Sequence, residues 1–171
     1  MEKSKLKAAM REMREGETQQ QIAMELNVSR ELISKIENGS RNIPADISRK
    51  MMDRKENPWF ALAIRNEYTG TGSIRLNGPN VDLHRSSVKE KTIEEIEEML
   101  VALKSISFAK PLRTLSNWEK PGLEKLIEEA IEATTAIEHL IAIVCEEAGI
   151  SYLESYQQHY LQLQAKGYLE A

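Results

Sequence analysis

The chain has 171 residues, enough for one or two domains with a buried core. Its 23 Lys+Arg against 27 Asp+Glu give a net charge of −4, and 41% apolar residues place it among globular rather than disordered or fibrous chains. The longest apolar runs, 59–64 and 140–145, are too short to span a bilayer. The charged opening Met1-Glu2-Lys3-Ser4-Lys5 carries no apolar leader core, and the one cysteine, Cys145, has no intrachain partner. A membrane span, a secretory leader and a disulfide scaffold are therefore not expected, and a cytoplasmic protein is.

Residues 5–14 predict a first helix with Leu6, Ala9, Met10 and Met13 facing inward. Thr18 is placed to N-cap a second, in which Ile22, Ala23 and Leu26 form an apolar stripe. Asn27 then stands where the chain must turn through a left-handed conformation, which asparagine tolerates better than most residues. Val28 plugs the turn, and Ser29 caps a third helix with Leu32, Ile33 and Ile36 inside. Asn38-Gly39 ends it. A fourth helix, from Pro44 to about Arg54, carries Ile47, Met51 and Met52. Asn57 as N-cap and Pro58 at the first position open a fifth, which stops near Gly70. Trp59 and Phe60 read as core anchors rather than a stacking platform.

Two short amphipathic helices joined by a tight turn, the second with a polar outer face, are the physical form of a helix-turn-helix. Thr18-Gln19, Ile22-Ala23, Val28-Ser29, Ile33-Ser34 and 36–39, followed by Arg41 and Pro44, resemble the lambda repressor-like (Cro-type) helix-turn-helix family over about residues 5–57. Asn27 stands in place of that family's usual glycine. The resemblance implies a five-helix DNA-binding domain in which a first-helix arginine, Arg11 or Arg14, pairs with Glu37. It also implies that Gln19 meets a phosphate. Ser29, Arg30, Glu31, Ser34 and Lys35 would then form the DNA-facing side of the recognition helix, and Asn38, Ser40, Arg41 and Asn42 would clamp the backbone just past it. Arg30 suits guanine and Glu31 suits cytosine, while Ser34 and Lys35 suit a base edge or a phosphate. The plain alternative is a solvated charged face; its setting inside a complete motif favours DNA. Residues 1–57 hold 12 Lys+Arg and 10 Asp+Glu, so the basic excess is slight and affinity is expected to depend on dimerisation.

In residues 70–90, Ile74 and Leu76, then Val81 and Leu83, alternate with polar residues around 77–80. This predicts a connector with a short β-hairpin. Thr92 with Glu95 reads as a capping box opening a helix whose stripe is Ile93, Ile96, Met99, Leu100, Leu103 and Ile106. A linker with Pro111 and Pro121 precedes the longest helix, about 119–148. Leu123, Ile127, Ala130, Thr134, Ile137, Ile141, Val144 and Ala148 recur there with heptad spacing. Ser151 with Glu154 caps a last helix bearing Leu153, Tyr156, Tyr160 and Leu163. The heptad stripe is either an internal bundle seam or a subunit interface. The interface reading makes Leu123, Ile127, Ile137, Ile141 and Val144 dimerisation residues.

Glu128, Glu129 and Glu132 resemble the EExxE metal motif of MazG-like nucleotide pyrophosphohydrolases, but that family also needs an ExxD further on, which is missing. A solvated acidic face is the expectation. His139, Cys145 and His159 lack zinc-site spacing, and no nucleophile–base pair is visible, so no catalytic residue, metal or cofactor is expected. The architecture expected is thus mostly α: a DNA-binding domain over 1–69, a connector over 70–90 and a helical dimerisation or signal-receiving domain over 91–171. The function expected is a DNA-binding transcriptional regulator, a repressor of phage or mobile-element type binding an inverted repeat as a homodimer. A protein-interaction adaptor or antitoxin-like module, using the acidic C-terminal helices to bind a protein partner, is the alternative.

Overall fold

Local caps and turns decide where the first helices begin and end. A computed structural model describes the backbone of residues 3–170 and the side chains of residues 6–170. Helix α1 spans Lys3–Met13, α2 Gln19–Glu25, α3 Arg30–Glu37, α4 Ala45–Arg54 and α5 Pro58–Thr69. Helix α6 spans Arg85–Ser105, α7 Lys120–Ala148 and α8 Tyr152–Ala165, with one 3-10 turn at Leu112–Thr114. Among the described residues the fold is helical without strands, and no helix is long and apolar enough to cross a membrane. Thr18 caps α2 and exchanges a reciprocal bond with Gln21; Ser29 caps α3 through the Leu32 amide, and Asn57 caps α5 through that of Phe60. Asn27 adopts φ 54 and Gly39 φ 73, the left-handed conformations that let the chain leave α2 and α3 sharply.

The chain divides into two compact units, residues up to Leu76 together with those from Val144 onward, and residues Asn77–Ile143. In the first, α1 to α5 enclose a core in which Met10, Met13, Ile22, Ile33, Ile36, Ile43, Met51 and Phe60 are almost wholly buried. Three polar devices fasten its edges. Arg54 bridges Glu17 and Glu25. Arg75 pairs with Glu12 at 2.8 Å and lies 4.8 Å over the Trp59 ring. Glu56 accepts hydrogen bonds from Ser151 Oγ at 2.8 Å and the Leu153 amide at 3.2 Å. That last contact fixes the start of α8, so Tyr152 and Leu153 pack on the N-terminal core. The sequence alone groups α8 with the C-terminal helices. Cys145 is buried in this unit, and desolvation, then the charges of Glu56 and Glu146, push its thiol up.

The expected hairpin over 70–90 is absent. Arg75 carries the first would-be strand onto Trp59 and Glu12. The second is consumed by a helix start, where Asp82 accepts from the His84 amide at 2.9 Å and from Ser87 Oγ at 2.5 Å, and His84 caps α6. Thr92 therefore lies inside α6 rather than at its cap. Its hydroxyl donates to Val88 O at 2.7 Å and to Ala136 O of α7 at 3.2 Å.

In the second unit α6 and α7 run antiparallel. Thr92 meets Ala136, while Glu95 and Glu98 meet Glu129 and Glu132. The buried residues are Val88, Thr92, Glu95, Glu129, Ala133, His139, Ala142 and Ile143. The stripe expected to line a bundle is mostly outside: Ile93, Leu100 and Leu103 of α6 are exposed, as are Ile127, Ile131 and Ile137 of α7. Polar and small side chains thus lie between the two helices, and many of the larger aliphatic side chains stay exposed.

Candidate nucleic-acid interface

Helix α3 is held by one ion-paired hub. Glu37, only 5% exposed, accepts from Arg14 Nε at 2.6 Å and from Gln19 Nε2 at 2.7 Å. Arg14 also donates to the carbonyl of Glu17 at 2.5 Å. The first-helix arginine implied by the family pattern is thus Arg14, not Arg11. One carboxylate joins the end of α1, the start of α2 and the end of α3, and so fixes the angle at which α3 is presented. A buried carboxylate needs such partners, because desolvation alone would make it costly.

The opposite side of α3 is open. Arg30, Glu31 and Lys35 are exposed and Ser34 is half-buried beside them, so one face carries a guanidinium, a carboxylate, a hydroxyl and an ammonium. Ser29 is exposed at its N-terminus, where its hydroxyl accepts from the Leu32 amide at 3.1 Å. Past α3 the predicted backbone clamps divide in two. Asn38 Oδ1 accepts from the Ser40 amide and hydroxyl, and Ser40 Oγ donates to the Lys35 carbonyl at 3.2 Å, so these two close the helix end. Arg41 and Asn42 project into solvent. Gln19 is half-buried, its amide donated to Glu37.

With this geometry, residues 8–54 match the helix-turn-helix family model. This segment is a lambda repressor-like helix-turn-helix. The family is one of DNA-binding regulators, not of enzymes. No curated protein and no solved structure matches the chain. The hub Arg14–Glu37–Gln19 was only half legible in the sequence, because Gln19 reads equally well as a phosphate ligand until its neighbour is known.

A second polar constellation lies in the other unit, and here the solvated-face reading of Glu128, Glu129 and Glu132 fails in part. Glu128 and Glu132 are exposed, but Glu129 is 6% exposed, and Glu95 of α6 is 8% exposed. One carboxylate oxygen from each of Glu95, Glu98, Glu129 and Glu132 lies within 4.8 Å of the others. The acidic partners of the α7 motif come from upstream, on α6, rather than from further along the chain. A repeat signals this: Lys91-Thr-Ile-Glu-Glu-Ile-Glu-Glu98 and Lys125-Leu-Ile-Glu-Glu-Ala-Ile-Glu132 share lysine, isoleucine and three glutamates at the same spacing.

Proposed function

We propose that this protein is a sequence-specific transcriptional regulator, a repressor of phage or mobile-element type, that binds an inverted-repeat operator as a homodimer in the cytoplasm. The observation that carries the reading is the exposed face Arg30, Glu31, Ser34 and Lys35 on a helix locked by Glu37, inside the matched segment. Arg30 reads a guanine by a bidentate pair, Glu31 disfavours bases other than a cytosine partner, and Arg41 and Asn42 hold phosphates. Gln19 contributes as the anchor of α2 at the edge of this surface.

Dimerisation is supported by α7, whose Ile127 and Ile131 are each 60% exposed and whose Ile137 and Val144 are also exposed. Leu123 and Ile141, half-buried, complete the row. An aliphatic row of this length on one helix is what a second copy would cover. A two-fold dimer presents two recognition helices to half-sites about one helical turn apart.

Selection of bound DNA with the full chain tests this. The expected product is an inverted repeat. Arg30→Ala should cost about 1–3 kcal/mol on the preferred site and relax specificity at one base pair, whereas Arg41→Ala should weaken all sequences alike and lower the salt slope. Equal, sequence-blind losses from both would remove Arg30 as a base reader. Selection of no sequence at all would favour the adaptor reading.

A further inference from the structure

We propose that the seam between α6 and α7 is a divalent-cation site, with Glu95, Glu98, Glu129 and Glu132 as its ligands and Mg²⁺ or Mn²⁺ as the cation. Four carboxylates near one another prove nothing alone, since exposed acidic groups are common. Two observations set this group apart. Among the described residues, Glu95 Oε2 and Glu129 Oε2 are the buried side-chain atoms with no hydrogen-bond partner. Both belong to side chains at least nine-tenths buried, and in both the other oxygen is held by a lysine one turn earlier. Lys91 lies 2.8 Å from Glu95 Oε1 and Lys125 lies 2.5 Å from Glu129 Oε1. The arrangement repeats: the same sequence pattern on two antiparallel helices leaves one bare carboxylate oxygen on each, in two residues whose carboxylates gather with those of Glu98 and Glu132.

Bare carboxylate oxygens in a desolvated seam carry a large penalty unless a cation or a proton meets them. Even if both lysines are assigned wholly to the seam, two positive charges face four carboxylates, leaving the charge that one divalent ion neutralises. Size agrees. Oxygens on opposite sides of an ion lie about 4.2 Å apart for Mg²⁺ and about 4.8 Å for Ca²⁺, so four oxygens within 4.8 Å of one another span a sphere of this size and would close by about half an ångström around Mg²⁺. The set holds oxygens only, without histidine or cysteine, which selects hard cations over Zn²⁺. Glu98 and Glu132 are the exposed pair, so the ion would face solvent on their side and keep waters there. Bound, it cross-links α6 to α7.

Titration of the full chain with Mn²⁺, followed by electron paramagnetic resonance, tests the site. One Mn²⁺ per chain is expected, displaced by Mg²⁺, with a rise in the melting temperature. Glu95→Gln and Glu129→Gln should each weaken binding about tenfold or more, and the double variant should abolish both the binding and the melting shift. Circular dichroism checks that these variants fold. If they do not, Glu98→Gln and Glu132→Gln, at exposed positions, should weaken binding in their place. Glu97→Gln, on α6 outside the cluster, should change nothing. Absence of binding at millimolar Mn²⁺, or binding that Glu97→Gln lowers as much as the seam variants, would overturn the proposal. Uptake of a proton by the seam in place of Mn²⁺ would overturn it too.

Discussion

The two units bury opposite kinds of residue. The helix-turn-helix unit encloses methionine, isoleucine, leucine and aromatic side chains and leaves its charges outside, apart from the paired Glu37. The α6–α7 pair encloses two glutamates, a threonine and a histidine beside Val88, Ala133, Ala142 and Ile143, and leaves several isoleucines and leucines outside. The first can draw its stability from its own core. The second turns apolar surface to solvent and carboxylates inward, and the two proposals above address one face each. A second chain suits the outer face and a cation suits the inner one.

The sharpest way to break this contrast is to cut one large side chain from each unit. Phe60 is 0% exposed, so Phe60→Ala should cost about 3–5 kcal/mol in urea denaturation and take DNA binding with it. Ile127→Ala removes a side chain already in water and should shift the stability of the dilute monomer by no more than about 0.5 kcal/mol. Ile127→Glu should instead appear in sedimentation, as folded monomers with weaker operator binding. If Ile127→Glu melts the α6–α7 pair while the chain stays dimeric, the outer face is an internal seam after all.

What the sequence made legible follows from how local the physics is. Thr18, Ser29 and Asn57 act as caps through amides three residues on, and Asn27 and Gly39 take left-handed turns that depend on the residue at that position alone. Those positions were readable, and with them the first five helices. Thr92 shows the limit. A threonine three residues before a glutamate fits a cap, yet Asp82 and His84 start the helix earlier and Thr92 bonds across to Ala136 instead. The heptad row of α7 was real as a pattern, but periodicity says that a face is apolar, not what covers it. The Glu95–Glu129 encounter depends on the register of two helices far apart in sequence. Its trace in the sequence is the repeated Lys-x-Ile-Glu-Glu-x-x-Glu, whose first copy lies upstream of Glu128.

An intermediate effect is expected at the hub, where the first unit buries the charge of Glu37. Arg14→Ala removes the guanidinium and leaves Glu37 bonded to the Gln19 amide, and should cost about 1.5–3 kcal/mol, read as a lowered urea midpoint. Arg14→Ala with Glu37→Gln should recover part of that loss, because the buried charge goes with its partner. A double variant no more stable than Arg14→Ala would mean that arginine packing, not charge, sets the angle of α3.

The smallest effect separates two roles of one residue. Ser29 caps α3 and also stands at the exposed end of the proposed DNA-facing surface. Ser29→Ala removes the cap and should cost about 1 kcal/mol of stability. Ser29→Asp keeps a cap of equal quality and adds a negative charge that the helix N-terminus favours, so the melting temperature should hold or rise slightly. The same charge would face phosphates if α3 enters a groove, and operator affinity should then fall although the protein is no less stable. Capping and contact thus move in opposite directions in one variant, measured by thermal melts and by fluorescence anisotropy on the selected operator. If Ser29→Asp binds DNA as tightly as the native chain at low salt, where repulsion is least screened, Ser29 lies away from the duplex and the interface must be redrawn around Arg30, Ser34 and Arg41.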